Sequence, residues 1–194
     1  MIDAAYADRL IVITAPSGAG KSTLIHRLMQ EDPNLVFSVS HTTRPPRAGE
    51  QDGREYHFVG EAEFDRMVAS DGFLEWADVH GRRYGTAREE IASLLATGKR
   101  VLLDIDVKGG LRLQSLLKAL FIFIAVDGPE TLRRRLVERA TDRREVIERR
   151  VANATRELEA GRRWPHVVVN HDLAQAYTDL KKLIDGGGGG GGGG

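Results

Sequence analysis

The 194-residue sequence has no cysteine, which excludes disulfides and thiolate metal sites, and its six histidines show no paired zinc-like spacing. No structural metal is expected. Long hydrophobic runs are also missing: stretches such as Ala119 to Val126 fall far short of the ~20 residues that a spanning helix needs. The first residues do not pair a basic region with an apolar run, so a cytoplasmic protein is expected. Nor is there an excess of charge of one sign. Lysine plus arginine equals aspartate plus glutamate at 28 each, which argues against a globally basic nucleic-acid binder but leaves local patches open. Function must be read from sites.

Along the chain, Arg9 to Thr14 is a short apolar run rich in β-branched residues. A glycine-rich segment follows it, and then Lys21 to Gln30, with helical spacing at Leu24, Ile25 and Leu28. This reads as strand, loop, helix. Further apolar runs at Val101 to Asp106, Leu120 to Val126 and Val167 to Val169 are separated by helical stretches such as Ala87 to Ala96. Near-continuous apolar strands alternating with helices predict an α/β fold with a parallel sheet flanked by helices.

Two segments break that rhythm. Residues 38–85 are polar, aromatic and turn-rich, which suggests an inserted lobe, and 127–150 hold eight arginines in a helix–turn–helix pattern, which suggests a second excursion. The core is then expected from 1–37, 86–126 and 151–185. Residues 186–194 are an unbroken glycine run with no side chains to pack, expected to be non-native or a placeholder.

Ala15, Pro16, Ser17, Gly18, Ala19, Gly20, Lys21, Ser22 and Thr23 run from the end of the predicted strand into the helix; Gly18, Gly20, Lys21 and Ser22 match the end of a Walker A loop, with Ala15 where the general motif has glycine. Glycines let backbone N–H groups converge on phosphate oxygens, and the helix N-terminus adds positive potential. Lys21 would reach the β and γ phosphates and Ser22 would ligate Mg²⁺. The loop points to a nucleoside triphosphate but is silent on the acceptor.

Asp104 and Asp106 lie two apart on a predicted strand, so their side chains are expected to leave one face near the C-terminal edge of the sheet, where nucleotides bind. One would hold Mg²⁺ through water and the other would touch the acceptor. The alternative is that they cap the following loop. In Ser40-His41-Thr42-Thr43-Arg44-Pro45-Pro46-Arg47, polyproline II spacing would turn Arg44 and Arg47 the same way, a guanidinium pair suited to a phosphate, with hydroxyls added by Tyr56 and Tyr84. A solvated basic turn is the competing account.

Taken in order, the phosphate loop, Phe37 to Glu50, Phe73-Leu74-Glu75-Trp76-Ala77, Tyr84-Gly85-Thr86 and Leu103-Asp104-Ile105-Asp106 closely resemble guanylate kinase from about residue 9 to 184. The resemblance implies a P-loop core, a GMP-binding lobe and a helical lid, and an ATP-dependent, Mg²⁺-assisted phosphorylation of GMP, and of dGMP, within purine metabolism. It implies that Ser40, Glu75, Thr86 and Asp106 contact guanine, that Arg44, Arg47, Tyr56 and Tyr84 hold the GMP phosphate, and that Asn170 lies near the adenine. The lid arginines Arg135, Arg139 and Arg150 would join Lys21 and Arg44 in catalysis.

The chemistry of Glu75 supports its assignment separately. Guanine presents N1–H and an amine side by side, and a carboxylate offers two acceptors to match. The chain departs from the family at Ala140, where glycine is usual, and at Arg143 and Arg144, which bears on lid closure. The rival functions are a catalytically inactive guanylate-kinase-like binding module, another P-loop small-molecule kinase, and a nucleic-acid-stimulated ATPase. The expected partners are GMP and ATP, with neither nucleic acid nor membrane, and the sequence leaves room for a homo-oligomer.

Overall fold

The computed structural model describes residues 8–79, 81–139, 144–161 and 163–187. Strand β1 (Leu10–Thr14) is buried along its whole length, and its alternate side chains feed two different cores. Ile11 and Ile13 pack on one side with Leu24 and Leu28 of helix α1 (Lys21–Glu31) and with Tyr177 and Leu180 of helix α7 (Leu173–Gly187). Leu10 and Val12 pack on the other with Ile91 and Leu95 of helix α3 (Arg88–Ala96), and with Trp164. A strand covered on both faces has no polar side, which is why the run reads as continuously apolar.

Strands β2 (Leu35–Phe37), β7 (Arg100–Asp104), β8 (Leu120–Ala125) and β9 (His166–Val169) complete a five-stranded parallel sheet in the order β2-β7-β1-β8-β9. The register sets Ile13 beside Asp104, so the end of β7 lies next to the loop that leaves β1. The predicted α/β class is therefore observed, with one strand more than the apolar runs suggest. β2 holds only three residues at the sheet edge, and two of them are half-buried, so it lacks the apolar density of its neighbours.

One expectation is corrected here. Asp106 is not on a strand: β7 ends at Asp104, and Asp106 is the N-cap of helix α4 (Val107–Gln114), its Oδ1 accepting from the Gly109 N–H at 2.6 Å. Asp106 therefore caps a helix, while Asp104 pairs with Lys21. The cause is local, since an aspartate three residues before an N–H with no helical partner satisfies it better than another strand residue would.

A second sheet, in the order β4-β3-β6-β5, is built from β3 (His41–Thr42), β4 (His57–Phe58), β5 (Phe73–Val79) and β6 (Arg82–Ala87). β5 and β6 pair antiparallel, with Glu75 opposite Thr86. Helix α2 (Glu61–Ala69) covers the sheet through the fully buried Phe64, whose ring lies 4.5 Å from that of Phe73. Arg83 ties the sheet to the helix by ion pairs to Glu61 and Asp65.

The arginine-rich segment forms helix α5 (Pro129–Arg139) and the start of helix α6 (Arg144–Gly161). Proline suits the first position of α5, where no N–H is needed. α6 continues unbroken to Gly161, so one helix carries Arg150 and also reaches the core. Ala140 and Arg143 lie outside the described residues, as does the glycine run beyond Gly187.

Candidate active site

The loop after β1 turns through two left-handed glycines, Gly18 (φ 88°) and Gly20 (φ 89°). Gly20 is required twice over, because a Cβ there would stand 2.4 Å from Asn170 Nδ2. Asn170, buried just after β9, donates that amide to the Ala19 carbonyl at 2.7 Å. Arg135 of α5 donates to the same carbonyl at 3.3 Å and to the Asn170 carbonyl at 2.9 Å. Leu136 lies against Gly18. The arginine-bearing helix therefore rests directly on the phosphate loop.

Lys21, first residue of α1, makes an ion pair with Asp104 at the end of β7. Burial pushes the Lys21 ammonium down to about 8, against the opposing pull of Asp106 and Glu157. Glu157 of α6 is held above the usual carboxylate range by burial, while the Ser17 N–H of the loop favours its ionised form.

In the second sheet, the Thr86 hydroxyl donates to Glu75 Oε1 at 2.7 Å. Burial raises the Glu75 carboxyl to about 7; Thr86 and Arg112 oppose the rise and Asp106 adds to it. The first turn of α4 approaches closely, since a Cβ on Gly109 would stand 2.8 Å from Glu75 Oε2 and 3.0 Å from Asp106 Oδ1. The Asp106 charge is felt at Lys21, Glu75 and Glu157 alike, which places it between the loop and the second sheet.

Farther along that sheet, Arg44 Nη2 donates to Glu50 Oε1 at 2.9 Å, and the guanidinium lies 5.3 Å from the Tyr56 ring centre. Tyr56 and Tyr84 meet edge to face at 5.7 Å. Glu50 and the Tyr84 hydroxyl both stabilise the charged Arg44. The Arg47 side chain is exposed. Ser40 is half-buried at the start of β3, its carbonyl accepting from the His57 N–H at 2.9 Å.

The guanylate kinase family model matches residues 7–186. The chain belongs to the guanylate kinase family. It is 46% identical over 179 residues to a guanylate kinase of Dechloromonas aromatica, covering 92% of this chain and 89% of that one. It is 49% identical over 173 residues to a guanylate kinase of Oleidesulfovibrio alaskensis, covering 89% and 84%. The crystal structure of guanylate kinase from Anaplasma phagocytophilum superposes with a TM-score of 0.72 at 28% identity, covering 91% of this chain and 84% of that one.

Within this guanylate kinase fold, the residues singled out from sequence form two groups. Lys21, Asp104, Asn170 and Arg135 gather on the loop, and Glu75, Thr86 and Asp106 gather at the start of α4. Arg44, Tyr56 and Tyr84 form a third cluster, in which the Arg47 guanidinium does not join Arg44 in any described contact. Arg150 is half-buried on α6, and the Arg139 side chain lies outside the described residues. Ser22 and Thr23 are exposed at the start of α1.

Two carboxylates with no assigned role stand out. Glu50 holds the Arg44 guanidinium and the Arg47 backbone N–H, and Glu157 approaches the loop from a helix far away in sequence. Glu50 is legible in hindsight as an acid three residues after Arg47, across a turn that Gly49 permits with its φ of 86°. Glu157 has no such local sign.

Among the described residues no group of three or more carboxylate or imidazole side chains could hold a metal ion. Mg²⁺ bound with a nucleotide takes one or two protein ligands and completes its shell with water and substrate phosphates. The donor set beside the loop, one hydroxyl from Ser22 and one carboxylate from Asp104, is of that kind.

Proposed function

We propose that this guanylate kinase family member transfers the γ-phosphoryl group of ATP to GMP with Glu75 as the residue that selects guanine. The observation that carries the reading is the nine-tenths-buried Glu75 carboxyl, fixed by Thr86 with its second oxygen near the start of α4. An ionised carboxylate there accepts from guanine N1–H and the adjacent amine, whereas adenine would turn a lone pair toward it. Sites that read a base through buried hydrogen bonds reject the wrong one by several orders of magnitude. Ser40, Thr86 and Asp106 complete the guanine contacts. Because these groups read the base, dGMP is accepted as well.

Arg44, Arg47, Tyr56 and Tyr84 hold the GMP phosphate. Its ionised oxygen attacks the γ phosphorus, the bond to the β–γ bridging oxygen breaks, and ADP leaves with that oxygen. Since the attacking oxygen is already ionised, no general base is needed, and catalysis rests on alignment and charge. Residues 15–23 cradle the triphosphate, with Asn170 at the adenine end. Lys21 and the lid residues Arg135, Arg139 and Arg150 offset the charge on the transferring group. Ser22, and Asp104 through water, would hold Mg²⁺, which supplies further charge neutralisation when bound. No helix of the described residues is long and apolar enough to cross a membrane, and we place the enzyme in the cytoplasm with its nucleotide substrates.

Two variants test the division of labour. Lys21→Met should lower kcat by about 10²–10³-fold, the usual cost of removing one preorganised charge-stabilising group. Glu75→Gln should raise KM for GMP and leave KM for ATP unchanged. A Glu75→Gln enzyme with wild-type KM for GMP would refute the assignment.

A further inference from the structure

The Arg44 guanidinium is paired within the chain, and the Arg47 backbone shares its partner. Glu50 bridges them: Oε1 accepts from Arg44 Nη2 at 2.9 Å and Oε2 accepts from the Arg47 backbone N–H at 2.7 Å. Both residues are half-buried, with 13% of the Arg44 side chain and 17% of the Glu50 side chain exposed, so the pair is partly shielded from solvent. The chain is shaped to make it. Arg47-Ala48-Gly49-Glu50 closes on itself through Glu50 N–H to the Arg47 carbonyl at 3.1 Å, with Gly49 in the left-handed conformation that this turn needs at its third position.

Arg44 is held at several other points. Its Nη1 donates to the Pro45 carbonyl at 2.9 Å, its backbone N–H donates to Thr42 Oγ1 at 3.1 Å, and its guanidinium lies beside the Tyr56 and Phe58 rings at 5.3 and 5.7 Å. A guanidinium has five N–H donors, so a fork held by Glu50 and Pro45 still has donors for a substrate phosphate. A free arginine side chain would lose rotamer entropy on gripping that phosphate, and one already fixed does not.

We propose that Glu50 is a positioning residue of the acceptor site: its carboxylate fixes the Arg44 fork in the geometry that receives the substrate phosphate, while Arg47 supplies the unbalanced positive charge. The division follows from the pairing. Glu50 offsets the charge of Arg44, so Arg44 contributes direction, and the exposed Arg47 guanidinium contributes attraction. This inference rests on the reading of Arg44 and Arg47 as the GMP phosphate site.

The test uses Glu50→Gln and Glu50→Asp in the full chain, with guanosine as a competitor that carries the base but no phosphate. Glu50→Gln keeps the shape and removes the charge, and Glu50→Asp keeps the charge and shortens the reach. Each should raise KM for GMP by about tenfold, the scale of one charge-assisted hydrogen bond. The inhibition constant of guanosine and KM for ATP should not move. An unchanged or lower KM for GMP would overturn the inference, the lower value marking Glu50 as a competitor of the phosphate. Equal losses for GMP and guanosine would also overturn it, because the carboxylate would then merely hold the lobe together. Should Glu50→Gln fail to fold, Glu50→Asp decides alone. Wild-type enzyme that shows no saturation by GMP would instead defeat the reading of the site itself.

Discussion

Glu75 and Thr86 face each other across the β5–β6 pair, and the threonine hydroxyl donates to the carboxyl at 2.7 Å. This bond supports the charged form of a carboxyl that burial would otherwise keep neutral. The balance between the two sets how the acceptor site responds to pH.

Glu75 is raised from 4.5 to about 7, so the folded, empty protein favours its neutral form through that interval. Guanine recognition needs the ionised form. KM for GMP should therefore fall as pH rises toward about 7, by at most tenfold per unit, and level off above it. Stability of the empty protein runs the other way: the penalty for an ionised buried carboxyl is absent below 4.5 and complete above about 7. Initial rates with ATP saturating check the first statement and urea denaturation of the empty protein checks the second. A KM for GMP that is flat across this range would contradict the role given to Glu75.

Thr86→Val keeps the side-chain volume and removes the donor. With its supporting bond gone, the Glu75 carboxyl should titrate at still higher pH, and KM for GMP at neutral pH should rise about tenfold, the scale of one lost hydrogen bond to a charged group. The displaced pH dependence is the informative readout, since loss of packing alone would not move it.

Gly20→Ala and Gly98→Ala separate backbone strain from collision. Both glycines are left-handed, at φ 89° and 82°, but a Cβ on Gly20 meets Asn170 Nδ2 at 2.4 Å while one on Gly98 meets nothing within 4 Å. Gly98→Ala should cost about 1–2 kcal/mol from conformation alone. Gly20→Ala should cost more and also weaken ATP binding, because Asn170 must leave the Ala19 carbonyl. Thermal melts with and without ATP compare them, and equal losses would mean that Asn170 yields freely.

Much of this molecule was legible in the sequence for identifiable reasons. The strand, loop and helix from Leu10 to Glu31 follow from a continuous apolar run, two glycines and three apolar residues at helical spacing. β2 was not legible, because three residues at a sheet edge carry too short a pattern. Asp106 was misplaced because Ile105, buried between two aspartates, continues the alternation of β7 past the point where the backbone turns into α4. Glu50 and Glu157 went unassigned for different reasons. The first works through a turn whose geometry its neighbours only hint at, and the second reaches the loop across 140 residues of sequence, from Ser17 to Glu157.

The central claim is that a buried carboxylate makes this a kinase for GMP, and a comparison of acceptors tests it most directly. Purified protein with ATP and Mg²⁺ is offered GMP, dGMP, AMP, CMP and UMP in turn, and ADP and the diphosphate product are both measured. The account predicts rapid, stoichiometric ADP and GDP from GMP, turnover of dGMP, and kcat/KM for AMP lower by several orders of magnitude. Comparable kcat/KM for GMP and AMP would contradict it.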